Sequence, residues 1–301
     1  MKLAITGGTG FVGAHVIDAA IADGHEVSAL TRREQAPRQS VQWVSGDLQD
    51  RVALQQLVTG ADAVIHVAGT ISARDAAGFE AGNVAGTLAM LAAATAGGVH
   101  RFVHVSSLAA REPKLSLYGA SKSRAEELVK SSGLDWSIVR PPAVYGPGDK
   151  ETLELFRMAK LGLMVMPPRG RLSLIHVHDL ARLLLALTGP GAPSNIVVEA
   201  DDGTPNGWSH RDFAGALGRA VGARPAIISS PGILLRLAAR ADQLIRGVNA
   251  KLTPDRAAYF SHRDWVVAAK LGCPPDLWQP NIPAEQGLKE TAAWYREQGW
   301  L

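Results

Sequence analysis

The chain has 301 residues, 47% of them hydrophobic and 20% charged, which suits a globular protein with one large core or two modest ones. Its formal net charge of +3 is small and the basic residues are dispersed, so nucleic acid is not implied as a partner. A single cysteine, Cys273, excludes an internal disulfide framework and argues against a cysteine-rich metal site. No apolar run reaches the roughly 18 to 20 residues of a membrane helix. Met1 runs straight into a strand pattern without room for a signal peptide, so the expected location is the cytoplasm, with no membrane partner.

Residues 2–5 read as a short apolar strand. It enters Thr6-Gly7-Gly8-Thr9-Gly10-Phe11-Val12-Gly13, and a helical run follows over 11–23, closed by Gly24. A strand, a glycine-rich turn and a helix N-terminus together make a dinucleotide pyrophosphate site, because free N–H groups and the positive helix dipole face the phosphates. Gly7 makes the turn, Gly10 lets the pyrophosphate approach, Gly13 lets helix and strand pack, and Thr9, Phe11 and Val12 complete the cofactor-binding stretch.

Further strands are expected at 25–30 and 41–44, then a helix over 51–58 with Asp50 as N-cap. Residues 63–67 form an uninterrupted apolar strand of the kind buried on both faces. An alanine-rich helix over about 76–96 follows. Then come a strand at 101–105, a helix over 120–131 and a strand at 136–139. This alternation predicts an α/β fold, a Rossmann doubly wound parallel sheet with helices on both faces, plus a smaller, mostly helical C-terminal substrate domain. The turn cluster Gly146-Pro147-Gly148-Asp149 marks the first crossing. Residues 1–146 and 173–200 are assigned to the dinucleotide-binding domain, and 147–172 and 201–301 to the substrate region. Within these, 174–177 and 195–199 read as strands, 179–187 as a helix with Asp179 at or near its N-cap, and 209–301 as mostly helical, broken at Pro274-Pro275 and Pro280.

Tyr118 and Lys122 stand four apart at the start of a helical stretch, which puts both on one face. A phenol is a poor base at neutral pH, and an adjacent cation such as Lys122 would favour its phenolate. Just upstream, the strand at 101–105 leads into Ser106-Ser107, at the carboxyl end of a strand, where doubly wound sheets bind ligands.

These elements are similar to the short-chain dehydrogenase/reductase superfamily, specifically its extended, epimerase/dehydratase-like branch, over nearly the whole chain. The glycine stretch 6–13 carries the resemblance, with Gly46-Asp47-Leu48, His66-Val67-Ala68-Gly69, Asn83-Val84-Ala85-Gly86-Thr87, the run Arg140-Pro141-Pro142-Ala143-Val144-Tyr145-Gly146-Pro147-Gly148, and His176-Val177-His178-Asp179-Leu180. The C-terminal Gly287-Leu288, Trp294-Tyr295 and Gly299-Trp300-Leu301 resemble a common ending of that branch. The resemblance implies that Asp47 and Leu48 contact adenine, that Val67, Ala68 and Gly69 lie beneath adenosine and ribose, and that Pro141 and Val144 flank the nicotinamide. It further implies Tyr118 as general acid/base, Lys122 as the ribose ligand that lowers the Tyr pKa, and Ser107 rather than Ser106 as the catalytic hydroxyl. The loop between Ser107 and Tyr118 is shorter than epimerases of the branch usually have. A homodimer through the Tyr118/Lys122 helix and the long helix before it is an arrangement the resemblance leaves open.

After the second strand, where NAD sites place a carboxylate, this chain has Thr31-Arg32-Arg33. Arg32 suits a ribose 2′-phosphate, so NADP(H) is the preferred cofactor and NAD a further option. The expected activity is hydride transfer between NADP(H) and a small carbonyl or secondary alcohol. A nucleotide-sugar epimerase or dehydratase, and a non-catalytic NAD(P)-binding regulatory or assembly protein, are the alternatives. Arg169 and Arg171, or Arg236, Arg240 and Arg246, would serve a substrate diphosphate, although the last three also read as a solvated face. The apolar runs 233–235 and 266–268 read as core packing. His66 and His104 fall in buried-strand patterns and read as core histidines. His176-x-His178 has no third ligand in reach, so no metal is expected.

Overall fold

Strand β1 (Lys2–Thr6) is buried at four of its five positions, and β4 (Ala63–His66) is buried throughout. Strands covered on both faces read as continuous apolar runs, which is why the sequence shows no alternation here. Between them in the chain lie α1 (Phe11–Ala22), β2 (Glu26–Thr31), β3 (Val41–Ser45) and α2 (Arg51–Val58). The computed structural model describes residues 1–167, 169–230, 237, 240 and 254–301. Asp50 caps α2 by accepting from the backbone N–H groups of Val52 and Ala53, both at 3.0 Å.

After β4 come α3 (Ala76–Phe79), a π-helical turn (Glu80–Ala85) and α4 (Gly86–Ala96), then β5 (Arg101–Val105), α5 (Leu117–Lys130) and β6 (Asp135–Val139). The expected single helix over 76–96 is thus interrupted by wider winding at its middle. Helix α5 starts three residues earlier than the apolar pattern suggests, because the Ser116 hydroxyl accepts from the Gly119 N–H at 2.9 Å and caps it.

Among the described residues the main sheet has seven strands in the order Ile196–Val198, β6, β5, β4, β1, β2, β3, with each adjacent pair parallel. This is the Rossmann-type doubly wound arrangement. The chain leaves β1 towards β2 on one side and returns as β4 on the other, so the switch point lies between the carboxyl ends of β1 and β4. Leu54, Leu57, Val64, Met90, Phe102 and Ile138 are central to the core on one face of the sheet.

The chain divides into two compact units. The first comprises Met1–Pro141, His178–Glu199 and Leu271–Gln279, and the second Pro142–Val177, Ala200–Lys270 and Pro280–Leu301. The first unit's leading segment ends at Pro141, and its residues 271–279 adjoin the strand Ile196–Val198 where Glu199 N–H donates to the Leu271 carbonyl at 2.8 Å.

The second unit packs helices Leu153–Lys160, His210–Val221 and Ala284–Glu297 around Tyr145, Phe156, Phe213, Leu217 and Tyr295. It also carries short strands that the sequence reading missed: Leu163–Met166 pairs in parallel with Ala226–Ser229, and Arg171–Leu172 lies between Trp208–Ser209 and Asp264–Trp265. Among the described residues 209–301 is mostly helical, through His210–Val221, Pro254–Ser261 and Ala284–Glu297, and the short strands escaped because two to four residues leave too little periodicity to read. Helix Val177–Ala186 begins two residues before Asp179, which sits in its first turn. Arg236, Arg246 and the apolar run 233–235 lie outside the described residues.

Candidate active site

The site is built where β1, β4 and β5 end. Gly7 has φ 73°, a left-handed conformation that costs glycine nothing, and a Cβ there would meet the Ala68 nitrogen at 2.7 Å. A Cβ on Gly13 would collide with the Gly7 carbonyl oxygen. The turn is therefore pressed against the Val67–Ala68 backbone on one side and the first turn of α1 on the other. Gly10 occupies the N-cap of α1 without a side-chain cap, and the first turn has no acidic residue. The uncapped N–H groups and dipole of α1 suit a diphosphate, and the space that a Cβ would fill allows its close approach.

Beneath this turn runs a line of buried hydrogen bonds. Ala68 N–H donates to Thr6 Oγ1 (3.2 Å), Thr6 Oγ1 lies 2.7 Å from His66 Nδ1, His66 Nε2 lies 3.1 Å from Thr87 Oγ1, and Thr87 donates to the Asn83 carbonyl (2.6 Å). Because Thr87 spends its proton on the Asn83 carbonyl, His66 Nε2 is the donor to Thr87, and in the neutral ring Nδ1 accepts from Thr6. Burial, helped by the Lys122 charge, lowers the His66 pKa to about 3. His104 stacks on His66 with ring centroids 5.4 Å apart, and its pKa is likewise pushed well down by burial.

Asn83 projects from the π-helical turn and is fully committed. Its Oδ1 accepts from Thr70 N–H (2.6 Å), and its Nδ2 donates to the Thr70 carbonyl (2.9 Å) and to Ser121 Oγ (2.8 Å). Ser121 in turn donates to the Tyr118 carbonyl at 2.7 Å, so Asn83 ties the loop after β4 to the first turns of α5. Asn83 belongs to a motif quoted from the sequence, yet it was not singled out as a site residue. A buried amide within an alanine-rich helix was the available signal.

Lys122 is buried, and its Nζ donates to the Val105 carbonyl at 2.9 Å. Burial lowers its pKa to about 8, opposed by the carboxylate of Glu126 one turn later. A Cβ on Gly69 would meet Asn83 Oδ1 at 2.9 Å and Lys122 Nζ at 3.1 Å, so these three residues adjoin. Tyr118 lies half-buried on α5, its ring 6.1 Å from that of Phe79. Loss of hydration raises its pKa, and a hydrogen bond with the Ser107 side chain opposes the rise. This corrects the expectation that Lys122 leaves the phenol below its ordinary value: burial outweighs the stabilisation of the phenolate.

Ser106 and Ser107 separate cleanly. Ser106 Oγ donates to Glu126 Oε1 at 2.6 Å, and Arg140 clamps the same carboxylate through Nε (2.8 Å) and Nη2 (2.6 Å). Ser107 caps a short 3₁₀ turn, Leu108–Arg111, whose Leu108 N–H donates to the Pro141 carbonyl at 3.0 Å. Thus Gly7, Val67, Ala68, Gly69, Ser107, Tyr118, Lys122 and Pro141 all stand at the same edge of the first unit's sheet.

The remaining candidates sit farther along that edge or elsewhere. Arg32 is exposed just after β2, where Thr31 Oγ1 donates to the Arg33 carbonyl (2.7 Å) and shapes the turn. Asp47 Oδ1 accepts from Gln49 N–H at 2.8 Å, while Leu48 packs on the core beside Gly86. Val144 belongs to the second unit, paired with Ile175. His176 there lies edge-on to the Tyr145 ring, and His178 in the first unit faces the ring of His15 at 4.9 Å.

Residues 3–198 match the model of the NAD dependent epimerase/dehydratase family. The chain is 38% identical over 312 residues to ceramide reductase of Caulobacter vibrioides, covering 99% of this chain and 96% of that one. It is 32% identical to a 4-hydroxy-2-methyl-3-oxo-4-farnesyl-3,4-dihydroquinoline-1-oxide ketoreductase of Stigmatella aurantiaca, over 68% of this chain and 69% of that one. Among solved structures, the UDP-glucose 4-epimerase of Thermotoga maritima superposes with a TM-score of 0.75 at 20% identity, covering 99% of both chains, a likeness of fold alone. The chain belongs to the NAD-dependent epimerase/dehydratase family and is an NAD(P)-dependent enzyme of the extended short-chain dehydrogenase/reductase type.

Proposed function

We propose that this protein is an NADP(H)-dependent ketone reductase acting on a long-chain, ceramide-type lipid. The observation that carries the reaction type is the half-buried phenol of Tyr118, hydrogen-bonded to Ser107 at the same sheet edge as the uncapped glycine turn. Near-full-length similarity to a ceramide reductase supports the substrate class, and the ketone named for the second relative also carries a long hydrocarbon chain, farnesyl.

The bound nicotinamide would supply a hydride to the carbonyl carbon. As the C=O π bond opens, Tyr118 gives its proton to the oxygen, and Ser107 hydrogen-bonds the developing negative charge. The product is a secondary alcohol, and water reprotonates Tyr118. The phenol holds its proton at neutral pH, and because a raised pKa makes it a weaker acid, transfer relies on the negative charge that develops on the oxygen. Lys122 binds the nicotinamide ribose and keeps a positive charge beside the reacting groups. Arg32 meets the 2′-phosphate, Asp47 and Leu48 take the adenine, and Val67 to Gly69 take the ribose.

The test is consumption of NADPH by the purified protein with a 3-keto ceramide in detergent, with the alcohol identified by mass spectrometry. Turnover supports the reading. Tightly bound, copurifying NAD with interconversion of a UDP-sugar and no ketone reduction would replace it with the epimerase reading.

A further inference from the structure

The parallel strand pair Leu163–Met166 and Ala226–Ser229 has one face in the core of the second unit and one in water. Met164 and Met166 point inward. The alternate positions point outward, as the two-residue period requires, and they are apolar: Leu163 is 45% exposed and Val165 42%. In register, Val165 sits opposite Ile228, which is 53% exposed, and Leu163 sits opposite Ala226. Leu161, on the turn entering the first strand, is 83% exposed. A solvated sheet face ordinarily alternates to polar residues, and contiguous apolar exposure marks an interaction surface.

The charged residues that neighbour these strands in the chain have one sign. Lys160 and Arg224 are exposed at the end where both strands begin, and Arg169 is exposed beyond the other end of the first strand. Residues 155–178 and 213–241, the stretches that contain the two strands, include lysines and arginines but not one Asp or Glu, in a chain with 28 acidic residues. A second copy of this chain docking face to face would bring like charges together, which is unfavourable. An anionic bilayer surface satisfies both features, since the leucine, valine and isoleucine side chains enter the acyl boundary while the cations meet lipid phosphates.

We propose that the exposed face of the Leu163–Met166/Ala226–Ser229 sheet, with Leu161, Lys160 and Arg224, docks the protein on an anionic membrane surface. Docking is peripheral, as no helix among the described residues is long and apolar enough to cross a membrane. The inference goes beyond the reductase reading and does not depend on it, although a lipid ketone would be met at such a surface.

The experiment is co-sedimentation of the full chain with vesicles of phosphatidylcholine alone or mixed with phosphatidylglycerol, without cofactor or ketone. We expect partition onto the phosphatidylglycerol vesicles that weakens at about 0.5 M salt. Leu161→Ser/Val165→Ser/Ile228→Ser should lower it by roughly tenfold or more, and Lys160→Gln/Arg224→Gln by roughly tenfold, with melting temperature and NADPH binding retained in both. Absence of binding, equal binding to neutral vesicles, or variants that bind like the parent would overturn the proposal. Self-association abolished by the serine variant would instead assign the face to a second copy. None of these outcomes touches the ketone assay, so the two readings fail separately.

Discussion

The Lys122 ammonium donates to the carbonyl of Val105, the last residue of β5, and is thereby held at the sheet edge where the strand passes into Ser106 and Ser107. One hydrogen bond links α5, which carries Tyr118, to the strand that delivers Ser107. Glu126 lies on the same helix, and its carboxylate is fixed by Ser106 and Arg140, so the charge that supports Lys122 is itself immobile.

A pH dependence follows. The folded protein lowers the Lys122 pKa to about 8, so the cation is present below that pH and is lost as pH rises through it. The kcat/KM for ketone reduction should be level below about pH 8 and fall above it. In Lys122→Met this limb should be absent from a much lower activity. A parent profile flat to pH 10 would show that the Lys122 charge is not required.

Tyr118→Phe removes the proton donor while keeping the ring against Phe79. Turnover should fall by roughly 10²- to 10⁴-fold with NADPH affinity unchanged, as read by fluorescence titration. Parent-like turnover would move the acid to another group.

Arg32 is exposed and follows the strand end where a carboxylate would otherwise discriminate ribose hydroxyl from phosphate. Arg32→Ala should weaken NADPH by roughly tenfold or more while NADH affinity stays constant. Equal losses for both cofactors would place Arg32 on the shared part of the dinucleotide.

The stacked pair His66 and His104 sets a limit on acid stability. Both are held neutral, with folded-state pKa values below the ordinary 6.5. The unfolded chain takes up their protons first, so stability is full above pH 6.5 and is lost as pH falls towards about 3, where His66 itself protonates in the fold. His66 contributes a slope of up to about 1.4 kcal/mol per pH unit within that window, and His104 acts in the same direction. Urea unfolding between pH 7 and 4 measures this. His66→Gln should flatten the slope by one histidine's share, and an unchanged slope would exclude His66 as its source.

The dinucleotide turn was legible because its backbone tolerates only glycine where a Cβ would strike another backbone atom, as at Gly7 and Gly13. The placement of Tyr118 and Lys122 one turn apart on α5 was legible because four residues make about one helical turn. The choice of Ser107 over Ser106 came from a resemblance, and its physical reason, the Glu126 carboxylate that occupies Ser106, is a contact across 20 residues that no local pattern encodes. The direction of the Tyr118 shift escaped for a similar reason. Spacing shows that a cation is near, but how much water the surrounding chain excludes depends on tertiary packing. The paired strands Leu163–Met166 and Ala226–Ser229 were missed because their outward positions are apolar, which hides the alternation that identifies a strand.

The π-helical turn at Glu80–Ala85 sets the rotational phase of everything after it. Each residue of a helix advances the side-chain direction by about 100°. Wider winding advances less per residue, so these six residues turn through about the angle that five would in an α-helix, and α4 stays in phase with α3. Excising Asn83 would let the turn revert to ordinary winding with Thr87 still beside His66, yet it would remove the amide that ties Thr70 to Ser121. The extra residue of this turn is thus the one that joins the loop after β4 to α5.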